Sequence, residues 1–456
     1  MASSAHYRAG EHRILTWPPD AFYMLRRLSS IPLLRSFVGV SGLYMLGIPL
    51  LLLANIVLAR TLSVADFGTF GFALSLASVL AIPVSGGLPM LLTREVSTYV
   101  QRGNWPAYRG LVAEAYRWVM LVSLAIGSAF LTWSVAFGGM PAQYLLAAFV
   151  LVPIMGLNTI RTGILRGFGR SFLAETPSQV LQPTLLILGY LVLALLGLTT
   201  AANALWWYVA VNVMVFGVAS IMLWRVQPLA ARTANTERTD KLRWRRALFP
   251  FMMISATTLL STQVAVLIAG FLGQEEVVAY LRVAERGAMF IIISFHVLSS
   301  IIGPHMVAAI QSGDIERQRE VVAQSSRLMF FTSFPLAICI SLMGPQILGL
   351  LFGSPYDEMA YLPMVIISVS HVFLTAFGHI GMFLSMGGHE RLTLASQVLG
   401  LGVNVALCIF LIGPLGAVGA AIGISAGGIA STAMSAFLVK RHFGFIPGML
   451  LRRSYQ

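Results

Sequence analysis

The chain has 456 residues, 57% of them apolar and 10% charged, with a formal charge of +13 and a mean hydropathy of +0.82. Soluble proteins hold about 45–50% apolar and about 25% charged residues, so a soluble enzyme, a disordered chain and a collagen-like chain are excluded. The positive charge does not point to nucleic acid, because it is concentrated in alternate loops between apolar runs, the pattern by which membrane proteins set their orientation.

Residues 1–36 are polar and contain Arg, with no short apolar stretch ahead of a small-residue cleavage site. A cytoplasmic N-terminal tail is expected there, and no cleaved signal peptide. Apolar runs follow at 38–60, 68–92, 115–137, 142–164, 175–198 and 202–224. The Arg-rich segment 225–246 reads as a cytoplasmic linker. Six further runs lie at 247–271, 281–308, 328–351, 360–384, 392–413 and 415–439. A span takes roughly 20 apolar residues, and helices are required because lipid offers the backbone no partner. The prediction is an all-α polytopic membrane protein of about twelve transmembrane helices. It comprises a six-helix bundle over 37–224, a second over 247–440, and a cytoplasmic C-terminal tail over 441–456. Pro49, Pro83, Pro153, Pro183, Pro335 and Pro363 fall inside these runs and mark expected kinks.

The basic residues test this division. The N-terminal tail, the even-numbered loops with their adjoining span ends, and the C-terminal tail together hold 27 of the 30 Lys and Arg residues. The odd-numbered loops hold only Arg60, and Arg282 and Arg286 fall within the eighth run. One missed span would invert every later loop and destroy the asymmetry, so both termini are expected in the cytoplasm. The odd-numbered loops are also short, with turns at 138–142, 199–202 and 413–414, which leaves no room for an external catalytic domain. Cys339 and Cys408 lie in apolar runs and read as small core hydrophobes.

An internal repeat is present. At an offset of 210, Gln101-Arg102-Gly103-Asn104 faces Gln311-Ser312-Gly313-Asp314, Arg109 faces Arg319, and Arg117 faces Arg327. An even number of spans per repeat gives both halves the same orientation. Their pseudo-twofold axis then lies along the membrane normal, with a cleft between the bundles.

Catalytic signatures are missing: there is no phosphate-binding glycine loop, no His-x-x-x-His and no Cys-x-x-Cys. No catalytic residue, metal or cofactor is expected. Ionisable side chains inside apolar runs carry more information, since each is costly in lipid unless it faces a cavity or a partner. Arg282, Glu285 and Arg286, at i, i+3 and i+4, share a helical face. Met289, Ile293, His296 and Ser300 continue it as a stripe ~20 Å long. Two Arg around one Glu leave one uncompensated positive charge. Two readings stay open: a cation lining a cleft, or an Arg pair reaching to the outer interface with Glu285 as internal partner. Tyr44 and Asn55 form a weaker polar stripe in the first run. Asn158 and Arg161 neighbour each other in the fourth, where Arg161 reads either as an interface anchor or as a ligand contact.

Several segments carry a family resemblance. LARTLSVADFGTFGFALSLASVLAIPVSGGLPMLLTREVSTYV (58–100) and ILRGFGRSFLAE (164–175) resemble the first half of bacterial oligosaccharide flippases. These form the Wzx-type branch of the multidrug/oligosaccharidyl-lipid/polysaccharide exporter superfamily. YLRVAERGAMFIIISFHVLSSIIGPHMVAAIQSGD (280–314), LSMGGHERLTLASQVLGLGVNVALCIFLIGPLGAVGAAIGISAGG (384–428) and Arg441-His442 resemble the second. The likeness runs from about 38 to 445. It implies two six-helix bundles of MATE-like fold around a V-shaped cleft in the bacterial inner membrane. It also implies movement of undecaprenyl-pyrophosphate-linked sugar repeats to the outer leaflet, with a polymerase and export machinery as partners. On that reading Arg282, Arg286, Arg161, Asn55, Tyr44, Asn158 and His296 meet the anionic head group. Glu285 is the candidate for coupling to a proton or sodium gradient. A cation-exporting antiporter of the same fold is the competing reading. It would need a net acidic cleft, and Glu285 is outnumbered by Arg. A membrane enzyme acting on polyprenyl-linked sugars would need the large external loop that the chain lacks.

Overall fold

A computed structural model describes residues 32–137, 142–236 and 241–449. The first half comprises α1 (Pro32–Thr61), α2 (Val64–Leu80), α3 (Ile82–Ser85), α4 (Leu88–Arg102), α5 (Trp105–Phe137), α6 (Ala142–Gly167), α7 (Ser171–Thr176), a π-helical turn (Pro177–Leu181), α8 (Gln182–Leu195) and α9 (Ala201–Val226). The short α10 (Leu229–Thr233) leads to the second half. This comprises α11 (Lys241–Phe271), α12 (Glu275–Gln311), α13 (Ile315–Leu351), α14 (Tyr356–Met359), α15 (Tyr361–Phe377), α16 (Ile380–Met386) and α17 (Glu390–Phe443). Most of the expected N-terminal tail, and residues 450–456 of the C-terminal one, lie outside the described residues.

Among the described residues, nine helices are long and apolar enough to cross a bilayer. Val64–Leu80 and Ile82–Arg102, which meet at 42°, pass the same test of length and composition together. The 54-residue α17 folds back on itself at Gly416, whose φ of 55° and ψ of −129° leave the helical region. Its two arms then pack antiparallel. A Cβ on Gly419 would lie 2.1 Å from the Leu411 carbonyl oxygen, one on Gly423 2.4 Å from Cys408 Sγ, and one on Gly427 2.7 Å from Asn404 Cβ. Three glycines spaced by four residues let the backbones touch, the usual means of helix association in lipid. The break falls three residues after the expected Gly413, at another glycine, which accepts the left-handed φ cheaply.

Of the six prolines expected to kink their spans, Pro83 lies at the 42° bend and Pro183 follows the π-helical turn. Pro49, Pro153 and Pro335 lie within uninterrupted helices, and Pro363 is in the first turn of α15. Cys408 is in the core as expected, whereas Cys339 is on the exposed surface of α13.

The 210-residue offset holds in three dimensions. It carries Thr61 onto Phe271, Trp105 onto Ile315 and Gly167 onto Phe377, each pair ending or starting equivalent helices. Gly103 and Gly313 both take positive φ, at 65° and 69°, and Asn104 and Asp314 each cap the helix that follows. The halves meet where α2 packs on α12 and α11, and where α3 and α4 pack on α11.

Candidate cleft between the halves

α2 and α12 approach to backbone contact at the end of the molecule that carries the short loops. A Cβ on Gly68 would lie 1.8 Å from the Glu275 carbonyl oxygen, and one on Gly71 would lie 3.3 Å from Val278. Phe67 meets Tyr356 edge to face, and Phe72 meets Phe271. Arg60, at the end of α1, donates from Nε to the Leu351 carbonyl at 2.8 Å and from Nη2 to that of Leu350. It thereby caps the last turn of α13 across the junction.

Arg282 completes this junction. Its Nη1 meets Glu285 Oε2 at 3.0 Å, and its Nη2 donates to Gln263 Oε1 at 2.7 Å and to Ser75 Oγ of the first half. Its charge is paired and three of its five donors are used, so Arg282 fastens the halves together. Both sequence readings thus described only part of the triad: Glu285 is the internal partner of Arg282, and Arg286 lies one turn deeper. From the start of α12 at Glu275, Arg286 is ~16 Å along the helix, about the middle of a ~30 Å hydrocarbon core. Among the described residues, the one hydrogen-bond partner of its guanidinium is Met289 Sδ at 3.9 Å. It lies within electrostatic reach of Arg282 and Glu285 on its own helix, and of Tyr208 in the first half.

Tyr208 belongs to a polar cluster with no counterpart in the sequence expectations except Asn158. Gln182 Nε2 approaches Tyr208 Oη at 3.4 Å and Asn212 Oδ1 at 3.5 Å, and Asn158 Nδ2 donates to the Asn212 carbonyl at 3.3 Å. Asn158 Oδ1 is buried without a partner. The π-helical turn at Pro177–Leu181 delivers Gln182 to this group. Tyr208, Gln182 and Asn212 are uncharged, which gave them no mark as strong as that of Arg286. The pair Tyr208 and Asn212, four apart in an apolar helix, was the available signal.

The other expected residues are elsewhere. Tyr44 donates to Glu175 Oε2 at 3.0 Å, and Arg166 grips Glu175 Oε1 from Nε and Nη2 at 2.8 and 2.5 Å. This group lies near the basic end of α1 and α6, well below Arg286. Asn55 bonds only the Leu51 carbonyl of its own helix, at 2.7 Å. The side chain of His296 lies outside the described residues.

Arg161 is held by aromatic rings of the first half. Gly156, Gly163 and Gly167 turn one face of α6 onto Val84, Leu92 and Val96 of the bent span, the span that meets the second half. At 3.6 residues per turn Arg161 is about 140° away from Gly156. Its guanidinium lies over the rings of Tyr116 and Phe216, at 5.3 and 5.1 Å. It therefore lies against α5 and α9, on the side of α6 away from the bent span. The three buried glutamates of the chain's described part all have Arg partners: Glu95 with Arg94 at 2.9 Å, Glu114 with Arg245 at 2.6 Å, and Glu175 with Arg166.

No curated protein matches the chain in sequence. Its fold is that of solved transporters of the MOP superfamily. An inward-facing multidrug resistance MATE family transporter superposes with a TM-score of 0.72 at 15% identity, over 87% of this chain and 94% of that one. The lipid II flippase MurJ, in an inward closed conformation, gives 0.70 at 15% identity, over 88% and 87%. A MOP superfamily transporter from Pyrococcus furiosus, described as having a binding pocket of reversed polarity, gives 0.61 at 17%, over 90% and 95%. The sequence model of the polysaccharide biosynthesis proteins matches residues 33–310, more than half of the chain and nearly all of the first half and the junction, so the chain belongs to the polysaccharide biosynthesis protein family.

Proposed function

We propose that the chain is a flippase that moves polyprenyl-pyrophosphate-linked oligosaccharide, with undecaprenyl as the lipid, between leaflets for surface polysaccharide assembly. The observation that carries this reading is Arg286, a mid-depth cation whose neighbouring carboxylate already belongs to Arg282. An unpaired cation in a low-dielectric cleft is costly alone but binds a pyrophosphate through paired, charge-assisted hydrogen bonds. Across from it, Tyr208, Gln182, Asn212 and Asn158 offer donors and acceptors suited to sugar hydroxyls. The lipid tail stays in the bilayer while the head crosses. The positive cleft also weighs against export of cationic drugs, since every buried glutamate described is neutralised by Arg.

In this reading the basic loops face the bacterial cytoplasm, as do both termini. The junction of α2 with α12 then closes the outer side. Rocking of the halves around that junction gives alternating access. Transport, and not covalent chemistry, is the activity. Glu285 is the coupling candidate, because protonating it would remove the ion pair that holds Arg282 and so loosen the closed end. A gradient of protons or sodium drives the cycle, and a polymerase with export machinery takes up the product.

Cells lacking the chain should lose surface polysaccharide and accumulate lipid-linked repeats on the cytoplasmic face. Arg286→Ala, present at normal level in the membrane, should fail to restore the polysaccharide. Lys at this position should restore it partly, because Lys keeps the charge without the planar fork. Full restoration by Arg286→Ala, or normal polysaccharide with lost resistance to cationic dyes in the deletion, would overturn the reading.

A further inference from the structure

At the basic end the two halves cover the same part of the repeat unequally. In the first half, the face of α5 that carries Leu111, Glu114 and Trp118 is covered by the start of α11, which belongs to the second half. Trp244, Arg245 and Leu248 stand with these three residues around one small void. Trp244 Nε1 donates to Tyr99 Oη at 3.1 Å, and Arg245 Nη2 donates to Glu114 Oε1 at 2.6 Å. Leu111 and Glu114 are buried under this cover. The 210-residue offset carries the three α5 residues onto Val321, Gln324 and Leu328 of α13. There the face is uncovered: Val321 is half-buried, Gln324 is exposed and Leu328 is 48% exposed.

The same offset names the segment that would cover it. It carries Trp244, Arg245 and Leu248 back onto Leu34, Arg35 and Val38 at the start of α1, and α1 and α11 correspond over their whole length. In an interface with twofold symmetry each contact occurs twice, with the partners exchanged. Here α11 packs on α2, α3, α4 and α5 of the other half, whereas α1 packs chiefly on α7, the π-helical turn and α8 of its own. The bond from Tyr44 to Glu175 holds it there. A second observation gives the same register without the repeat. Arg60 already ties the outer end of α1 to the Leu350 and Leu351 carbonyls at the outer end of α13, and both helices start from the basic end. Equal lengths of helix, ~39 Å at 1.5 Å per residue, lead back from these contacts to residue 34 in α1 and to residues 324 and 325 in α13.

We propose that the uncovered face of α13 is a seat for the start of α1, and that the two join when the outer junction opens. The first half, with α1 attached, rocks until Leu34 and Val38 cover Val321 and Leu328, and Arg35 meets Gln324. The carboxylate that Glu114 supplies in the first half lies one turn away in the second, where Gln324 Nε2 donates to Glu320 Oε1 at 3.1 Å. Residues four apart share a helical face, so one guanidinium reaches both. The basic end is then closed on two sides, by α11 on α5 and by α1 on α13. The contact rests on the alternating access described above and is independent of the cargo.

Paired cysteines test this in the full chain, with Cys339 and Cys408 replaced by Ala and a protease site placed at 237–240 between the halves. A short bismaleimide should join Leu34→Cys to Gln324→Cys, so that the halves stay together on a denaturing gel after cleavage. Joining should be about tenfold faster when Gly68→Val has opened the outer junction. Arg35→Cys with Val321→Cys serves if the first pair does not insert. Arg245→Cys with Glu114→Cys is the reference, and it should join with or without Gly68→Val. The gel reads the contact whatever the cargo, and restoration of polysaccharide reads the cargo, so either idea can fail while the other stands. Failure of both α1 pairs to join, in proteins whose reference pair joins, would overturn the proposal. Equal rates with the outer junction closed and open would do so too. Faster joining of Gln324→Cys to Tyr455→Cys than to Leu34→Cys would give the face to the C-terminal segment instead.

Discussion

The segments 64–102 and 275–311 are equivalent in the repeat, yet one is broken where the other is continuous, and only the second carries charge at the triad positions. In the first, α2 stops at Leu80 and the chain bends by 42° through Pro83, Gly86, Gly87 and Pro89. In the second, the equivalent residues are Ile293, His296, Val297 and Ser299, and α12 runs unbroken for 37 residues. The triad positions differ in the same sense. Arg282, Glu285 and Arg286 of α12 correspond to Phe72, Ser75 and Leu76 of α2. One copy thus supplies a smooth, glycine-bearing surface and the other supplies charge. A duplicated scaffold can specialise each copy this way without changing its topology, because a few residues decide bend and polarity.

The contact between the two copies is where the comparison can be broken most severely. Gly68 lets the α2 backbone lie on the Glu275 carbonyl, and a backbone atom cannot move aside as a side chain can. Gly68→Val should cost about 3 kcal/mol or more of the closed arrangement, the upper end of overpacking effects. It should stop transport while leaving the helical content intact. Val278→Cys, fully buried at the junction in this structure, would report the opening through its rate of reaction with a small thiol reagent. A Gly68→Val protein in which that cysteine stays protected would show that the two backbones are not in fact in contact.

Arg282 gives the next largest effect. Removing it loses charge-assisted bonds to Ser75, Gln263 and Glu285, each worth about 1.5–3 kcal/mol. In Arg282→Ala, Val278→Cys should react about 10- to 100-fold faster. Glu285→Gln, which keeps a hydrogen-bond acceptor beside Arg282, should fall between the parent and Arg282→Ala. If the Arg282→Ala and Arg286→Ala proteins open the junction equally, the division between a fastening Arg and a ligand-facing Arg is lost.

Much of this was legible beforehand, and the reasons differ by level. Apolar runs and alternating basic loops follow from the bilayer itself, so the helices and the repeat could be read directly. Arg286 was legible because an ionisable residue in an apolar run must have a use. The pairing of Arg282 with Ser75 and Gln263 was not, since these partners are 207 and 19 residues away and only the packing of α2, α11 and α12 brings them together. The surroundings of Arg161 were hidden for a similar reason. Its position along α6 was known, but which face α6 turns to α4 is set by Gly156, Gly163 and Gly167 meeting Val84, Leu92 and Val96. Tyr208, Gln182 and Asn212 are uncharged, and their convergence depends on a π-helical turn with no strong sequence mark.

The smallest effect separates the two causes of the bend. Pro83 lacks the N–H that would return to Val79, and this interrupts the ladder between α2 and α3. Its carbonyl also accepts a bond from Trp118 Nε1 at 3.1 Å, a contact that any residue at 83 could keep. Gly87 carries the stronger constraint. Its φ is 78°, and an added Cβ would lie 2.7 Å from the Met252 nitrogen in α11. A left-handed conformation costs a residue with a Cβ roughly 1–2 kcal/mol, and the contact with α11 adds to that. Pro83→Ala should therefore change stability by less than about 1 kcal/mol and leave the bend and transport unaltered. Gly87→Ala should lower thermal stability measurably, with partial loss of transport as α4 shifts against α11. Spin labels on the two sides of the bend would read its angle in each variant. Straightening by Pro83→Ala alone would transfer the bend from glycine to proline. The equivalent α12, which has neither residue at these positions, would then be continuous there for want of a proline instead of a glycine.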